Sequence, residues 1–201
     1  NFQLCKLAVN TGIWLMKNDI HISFEYISSK DNVIADMMSR FNLNFWEFKL
    51  DRSVYDFIIK SFKEKPTMDV FASNLTSSMN PYFSWRQDRN AIARDAFLLE
   101  DWSHLPYLFP PTPLLAKVVR EVELRKTRAI VVAPKWKQKD WYPYLMRMTV
   151  RMIELPLAEE CLTHMVYQEV KAHMNPLCAF LLDGSLPDQQ CLNSPRMRND
   201  L

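Results

Sequence analysis

The residues whose type and spacing could do chemistry are concentrated in one basic segment, residues 117 to 139. It holds eight Lys and Arg side chains against Glu121 and Glu123, although the whole chain carries a net charge of only +2. Lys and Arg on a helix and loop can bind nucleic-acid phosphates weakly and without base preference. We prefer the alternative interpretation, in which these side chains simply form a solvated helix face and loop. The eight residues are Lys117, Arg120, Arg125, Lys126, Arg128, Lys135, Lys137 and Lys139.

Aromatic side chains stand close to this segment and allow a second kind of nucleic-acid contact. Exposed rings can stack on single-stranded bases, and Lys135-Trp136-Lys137 interleaves charge with an indole. Packing in the core remains the first interpretation, because the chain has many large side chains and few glycines. The rings in question are Trp85, Trp102, Trp136, Trp141, Tyr142 and Tyr144.

Composition excludes several other classes of protein. The chain has 201 residues, 48% of them hydrophobic and 24% charged, which is typical of a globular domain and not of a disordered tail. Only two glycines occur, Gly12 and Gly184, and neither stands in a phosphate-loop pattern. Cys5, Cys161, Cys178 and Cys191 have no C-x-x-C spacing, so we expect reduced thiols instead of a zinc site or a disulfide framework.

The chain contains no candidate membrane segment and no signal peptide. Its longest apolar runs, such as residues 177 to 182, are far shorter than the ~20 residues that a spanning helix needs. We therefore expect an intracellular protein that does not bind membranes, in either the cytoplasm or the nucleus. The chain does not begin with Met, which favours a fragment of a longer polypeptide.

The elements that must position these residues follow from hydrophobic periodicity. The N-terminal part predicts a helix over residues 2–17, a strand over 20–27 and a short helix after Asn32. Next come a helix over 51–63 and strands at 68–72 and 107–109. A helix over 114–126 and a strand over 129–133 complete a βαβ unit, so those two strands should be parallel. Residues 157–174 predict another helix, and 183–201 a turn and a poorly ordered end.

One motif near the N-terminus resembles a known family. The run from Ser29 to Arg40, with Asn32 before Ala35-Asp36-Met37-Met38-Ser39-Arg40, resembles the closing helix of the ribonuclease H domain of retroelement reverse transcriptases. The resemblance implies that Asp36 is the last of four carboxylates that bind Mg²⁺. Two-metal hydrolysis needs several converging carboxylates, so residues 1–41 by themselves should not cleave an RNA–DNA hybrid.

A second set of motifs resembles the phage-type DNA adenine methylases. The ordered series is Asp69-Val70-Phe71-Ala72-Ser73, Tyr82, Asp95-Ala96-Phe97, Trp102, Phe109-Pro110-Pro111, Val131-Val132-Ala133-Pro134 and Trp141. The resemblance implies a Rossmann-like parallel sheet with flanking helices over residues 42–155, with 156–201 forming a helical segment and tail. It also makes Asp69 a candidate for the ribose or amine of S-adenosylmethionine.

The key methylase motif is altered in this chain. Enzymes of this kind use an Asn or Asp followed by Pro-Pro and an aromatic residue to accept hydrogen bonds from the target amine and to stack on the flipped base. Phe109-Pro110-Pro111-Thr112 offers neither the acceptor nor the ring. We therefore expect a methylase-like fold that neither transfers methyl groups nor needs S-adenosylmethionine.

The order of the two resemblances is similar to that of DIRS-like, tyrosine-recombinase retrotransposon polyproteins. It implies a parent reverse transcriptase with ribonuclease H that acts on RNA/DNA hybrids or DNA. In that parent, the middle domain of this chain would be a connecting or nucleic-acid-positioning module. The alternatives are an S-adenosylmethionine-dependent DNA adenine methylase and a structural interaction module.

Overall fold

The chain divides into two compact units, Asn1–Phe41 and Asn42–Leu201. The computed structural model describes residues 2–23, 26, 28, 46–102, 104–167 and 170–186. In the first unit, helix α1 spans Phe2–Lys17, which confirms the predicted helix. Residues 20–23 do not form the predicted strand, and the rest of that prediction rests largely on residues outside the described ranges. Asp36 and its short helix also lie outside them.

The second unit is a mixed α/β structure, which confirms the general fold class. No helix among the described residues is both long and apolar enough to cross a bilayer. The helices of the second unit are α2 (Arg52–Phe62), α3 (Leu115–Leu124), α4 (Trp141–Arg147) and α5 (Ala158–Cys161), with 3-10 turns at Ala96–Leu98 and Thr112–Leu114. Its strands are β1 (Phe48–Leu50), β2 (Met68–Ala72), β3 (Tyr82–Ser84), β4 (Pro106–Leu108), β5 (Arg128–Pro134), β6 (Thr149–Glu154), β7 (Leu162–His164) and β8 (Leu177–Asp183).

Six of these strands form one sheet in the order β3-β2-β4-β5-β8-β6. The neighbours from β3 to β5 are all parallel, which confirms the parallel pairing predicted for the strands on either side of α3. Strand β8 runs antiparallel to both β5 and β6. Seven residue pairs join β5 to β8, from Arg128 with Asp183 to Pro134 with Leu177. The long apolar strands therefore lie in the middle of the sheet, where both faces are covered.

Helices cover both faces of this sheet, and the side chains of β5 show how. Val131 packs with one buried cluster that contains the inner faces of α3 and α4, while Ile130 and Val132 pack with a second cluster that contains the inner face of α2. Successive side chains of a strand point to opposite faces, so a run of apolar residues serves two cores at once. This explains why β5 is apolar from residue 129 to residue 134 instead of alternating.

Helix α2 begins and ends for local reasons that the sequence contains. Its apolar positions Tyr55, Ile58 and Phe62 are buried at helical spacing. The helix ends at Lys63, which adopts the left-handed conformation with φ of 55° and donates its N–H to the Ile59 carbonyl. The observed bounds lie within one residue of the predicted helix.

The helix predicted over residues 157–174 is wrong. Among the described residues of this range, only Ala158–Cys161 are helical, and the chain then forms strand β7, which pairs antiparallel with β1. The pairing joins Phe48 with His164 and Leu50 with Leu162, residues more than a hundred positions apart. The long-range pairing of β7 with β1 overrides the helical spacing of apolar residues here, and it buries Leu162 while Val166 stays 40% exposed. Strand β8, which follows, was not predicted.

Candidate functional site

The carboxyl ends of β2 and β4 form the natural place for a ligand in this sheet. The chain leaves β2 to form β3 on one side, whereas β4 lies on the other side of β2. A crevice forms where the direction of strand order reverses, and open α/β sheets bind ligands there. The segments that border it are Ser73 with the loop to residue 81, and Phe109 to Thr112. Ser73 and the segment from Phe109 to Thr112 belong to the methylase-like motifs.

Asp69 faces the protein core and not this crevice. It is 2% exposed, and its Oδ2 accepts a hydrogen bond of 3.0 Å from the Ser78 backbone N–H. Its Oδ1 has no hydrogen-bond partner in the described part of the chain. Burial raises the pKa of Asp69 to about 7, an effect that the backbone N–H groups of Ser78 and Phe71 only partly offset. Asp69 therefore holds the loop after β2 in place.

Phe109 and its neighbours form a packing unit at the end of β4. Phe109 is half-buried and packs against the apolar cluster on the α2 side of the sheet, and Pro110 is buried. Thr112 begins a 3-10 turn, and its carbonyl accepts the N–H of Leu115 at the start of α3. Phe109 has a ring but no hydrogen-bond acceptor, and Thr112 has no ring. This strand end therefore connects β4 to α3 and does not form a pocket for a base.

A buried carboxylate that the sequence analysis missed lies close to the ends of β2 and β3. Glu47 is 3% exposed. Its Oε2 accepts a 2.6 Å hydrogen bond from Ser73 Oγ, and its Oε1 accepts a 3.1 Å bond from Trp85 Nε1. Arg86 Nη2 lies 3.5 Å from the same Oε1, and its guanidinium stacks 4.4 Å from the centre of the Trp85 ring. Glu47 is thus satisfied by protein groups and closes this edge of the sheet.

The structure divides the basic segment into residues that are engaged internally and residues that are not. Arg125 binds Glu121 and the carbonyls of Leu99 and Glu100. Arg128 pairs with Glu64, Lys135 with Glu154, and the Lys117 ammonium lies 3.7 Å from the centre of the Phe97 ring. Lys139 lies 6.0 Å from the centre of the Trp136 ring. Within the described ranges, three exposed residues of the segment form neither an ion pair nor a ring contact, namely Arg120, Lys126 and Lys137.

The aromatic residues divide in the same way. Trp102, Trp141 and Tyr142 are at most 9% exposed and belong to the core. Trp85 and Tyr144 are 39% and 51% exposed. Trp136 is half-buried, and its Nε1 donates to the Asn175 carbonyl. The six rings therefore do not form one stacking platform.

The described residues contain no group of three or more His, Cys, Asp and Glu side chains that could hold a metal ion. Cys161 and Cys178 are buried thiols, and burial raises the pKa of each to about 11. Asp36, the carboxylate proposed from the ribonuclease H resemblance, and Cys191 lie outside the described residues. A scan of protein-family models finds no match to this chain, and comparisons with curated proteins and with solved structures find none either.

Proposed function

We propose that this chain is part of a retroelement polyprotein, in which the second unit is a methylase-like domain that positions nucleic acid and transfers no methyl group. The observation that carries this proposal is the end of β4. Phe109 follows β4 and packs against the apolar cluster on the α2 side of the sheet, so it offers no acceptor for a target amine. The parent protein would be a reverse transcriptase with an Mg²⁺-dependent ribonuclease H, located inside the cell.

The sheet supports the methylase part of the proposal. Parallel strands β3, β2, β4 and β5 are followed by the antiparallel β8, which is inserted between β5 and β6. This order resembles the Rossmann-like sheets of methylases. The motif series that suggested the resemblance runs through β2, β4 and β5, and these three strands are neighbours.

The residues present do not fit S-adenosylmethionine. Asp69, the candidate for its ribose or amine, has one oxygen bound to Ser78 N–H and is 2% exposed. Glu47 is the other carboxylate near the crevice, and both its oxygens receive protein donors. A cofactor could reach Asp69 only by opening the packing that buries it, and it could bind Glu47 only by displacing protein donors, which is costly for a buried carboxylate. The proposed role is therefore binding without methyl transfer.

Nucleic-acid binding should depend on the unpaired basic residues of the 117–139 segment. Arg120 and Lys137 are exposed, whereas Lys135 and Arg128 already neutralise Glu154 and Glu64. Each phosphate neutralised on a single strand contributes a slope of about −0.7 to a plot of log affinity against log salt. The paired residues should contribute little, because binding a phosphate would first have to break their ion pair.

We expect the double substitution Arg120→Ala with Lys137→Ala to flatten this slope by roughly 1.4. Fluorescence anisotropy with a labelled single-stranded oligonucleotide across a salt series measures it. The matched control is Lys60→Ala with Lys65→Ala, which removes the same charge from exposed positions outside the segment. Equal slopes in both variants would contradict the role of the segment. No binding by the unmodified chain even at low salt would favour the structural interaction module.

An active S-adenosylmethionine-dependent DNA adenine methylase is the alternative, favoured only by the retained strand order and the Pro110-Pro111 pair. We expect no incorporation of tritiated methyl groups into DNA, because Phe109 cannot accept a hydrogen bond from the target amine. Incorporation above background that is lost in Pro110→Ala would overturn our proposal in favour of this alternative. The same assay on the Phe109→Asn variant is informative, because this substitution restores a hydrogen-bond acceptor and leaves the rest of the motif unchanged.

A further inference from the structure

An open depression of about 690 Å³ lies beside the edge strand β3 and shares the loop after β2 with the crevice described above. Its lining comes from the loop between β2 and β3 and from the loop that follows β3, and contains no charged side chain. The lining residues are Asn74, Ser77, Asn80, Pro81, Tyr82 and Asn90, which we call the asparagine depression. Three side-chain amides around one depression offer both hydrogen-bond donors and acceptors.

The walls of the asparagine depression are tied together by one carboxylate. Asp88 Oδ2 accepts a 2.8 Å hydrogen bond from the Tyr82 hydroxyl, and Oδ1 accepts a 2.9 Å bond from the Asn90 backbone N–H. The backbone N–H of Asn90 contributes most to a lowered pKa of Asp88, and the backbone amide of Asn74, on the other wall, also lowers it. Asp88 therefore fixes Asn90 in the loop after β3 relative to Tyr82 of β3.

The loop after β3 is further fixed along the sheet edge. The N–H of Ile92 donates to the Tyr82 carbonyl, and the N–H of Ser84 donates to the Ala93 carbonyl. These bonds bring the chain back beside β3, so that Asn90 lies near the start of the strand and Trp85 follows its end. With about 3.3 Å per residue, Trp85 lies roughly 10 Å from Tyr82.

The hydrogen-bonding groups around the asparagine depression are still available. In the part of the chain that the structure describes, the side-chain amides of Asn74, Asn80 and Asn90 make no hydrogen bond. Arg89 is exposed next to Asn90 and forms neither an ion pair nor a hydrogen bond with any described residue. A ligand that fits must therefore present an edge of donors and acceptors together with a negative charge.

We propose that the asparagine depression binds single-stranded nucleic acid, with one unpaired base against the asparagine amides and an adjacent phosphate on Arg89. An unpaired base exposes a hydrogen-bonding edge that an amide side chain matches, and a guanidinium matches a phosphate. A small apolar ligand would need an enclosed, apolar pocket instead. Trp85, 39% exposed beyond the end of β3, provides a ring for a neighbouring base. This inference rests on the proposed nucleic-acid role and assigns it a second surface.

The test compares two oligonucleotides of equal length in anisotropy measurements on the full chain, one of deoxythymidines and one with abasic sites. Asn74→Ala with Asn90→Ala should weaken binding of the base-bearing oligonucleotide by about 2- to 10-fold and leave the abasic one unchanged. Arg89→Gln should weaken both and flatten the salt slope by about 0.7. Lys60→Gln, the matched control, removes one exposed charge elsewhere and should change neither.

Each outcome separates this inference from the proposed function. The proposed site in the asparagine depression is wrong if the asparagine double variant binds both oligonucleotides as the unmodified chain does and Arg89→Gln behaves as Lys60→Gln does. That result would leave the proposed role of the 117–139 segment unaffected. If the unmodified chain binds no oligonucleotide, both proposals fail together. Thermal unfolding of each variant shows whether the variant still folds. Arg89→Gln changes an exposed side chain that has no contact with a described residue, so this variant still tests the site if the double variant unfolds.

Discussion

Replacing Asp69 by asparagine should leave the free energy of unfolding nearly unchanged near pH 4 and raise it by about 4 kcal/mol at pH 7 and above. The unfolded carboxyl titrates near its ordinary value of 3.8, whereas burial raises the folded pKa to about 7. The folded state therefore binds the proton more tightly than the unfolded state. The stability due to the neutral carboxyl is fully present below pH 4 and is lost as the pH rises towards 7.

Asparagine keeps the shape of the neutral acid and cannot ionise. Its carbonyl can still accept the Ser78 N–H, and the groups packed around the site, the rings of Tyr55 and Tyr107, stay neutral because burial raises the pKa of each. Arg52 lies outside the core and donates to the Ser78 carbonyl. The effect should therefore come from ionisation alone.

Urea unfolding between pH 4 and pH 8 measures the effect as the difference between variant and unmodified chain. Taking the difference cancels groups whose folded pKa is lowered, such as Asp88, which lose stability towards acid. The control is Asp140→Asn, because Asp140 is exposed and makes no side-chain bond to the helix that it precedes. A difference that stays constant with pH would show that Asp69 has the same pKa in the folded and unfolded states, so that burial does not raise it.

Trp102→Ala should lower the free energy of unfolding by about 3–5 kcal/mol. Trp102 is completely buried, and its Nε1 donates a 2.7 Å hydrogen bond to the Ala96 carbonyl. Its ring packs edge-on against Phe71 with centres 5.9 Å apart, and the Arg125 guanidinium lies 4.9 Å from its centre. Alanine would leave a large cavity and an unpaired buried carbonyl, which are two separate costs.

Urea unfolding at pH 7 checks this prediction, with two companion variants. Trp102→Phe keeps most of the apolar contact and should lose only part of the stability, about 1–3 kcal/mol for the unmade hydrogen bond. Tyr144→Ala, at a ring that is 51% exposed, should change stability by about 0.5 kcal/mol or less. Equal losses in Trp102→Ala and Tyr144→Ala would mean that Trp102 does not hold the core together.

Local sequence patterns were sufficient to predict the elements whose buried face follows from their own hydrophobic periodicity. The predicted helices over 2–17 and 114–126 correspond to α1 and α3, and the strand over 68–72 is β2. Strand β8 carried a usable signal as well, because Leu177–Leu182 is a short apolar run bounded by Pro176 and by Asp183-Gly184, as buried strands are. The pairing of β1 with β7 had no such signal, since three-residue strands are too short to show a period.

The candidate sites depended on contacts that no spacing in the chain could indicate. Glu47 meets Ser73 from 26 positions away and Trp85 from 38. Counting charges identified the 117–139 segment, but the count could not tell that Arg128 pairs with Glu64, 64 positions earlier. The asparagine depression is likewise assembled from two loops, and its asparagines look like ordinary turn residues in the sequence.

The amino-acid sequence by itself determined the α/β class, helices α1 to α3 and strands β2, β4 and β5, because these depend on residue type and on neighbours a few positions away. The tertiary structure alone decided that Asp69 is buried and proton-binding, that Glu47 closes the sheet edge, and which basic residues stay free. Burial and pairing depend on groups brought together across the fold. The charge of a side chain follows from its residue type, but its partner and its solvation depend on which distant strands and loops pack around it.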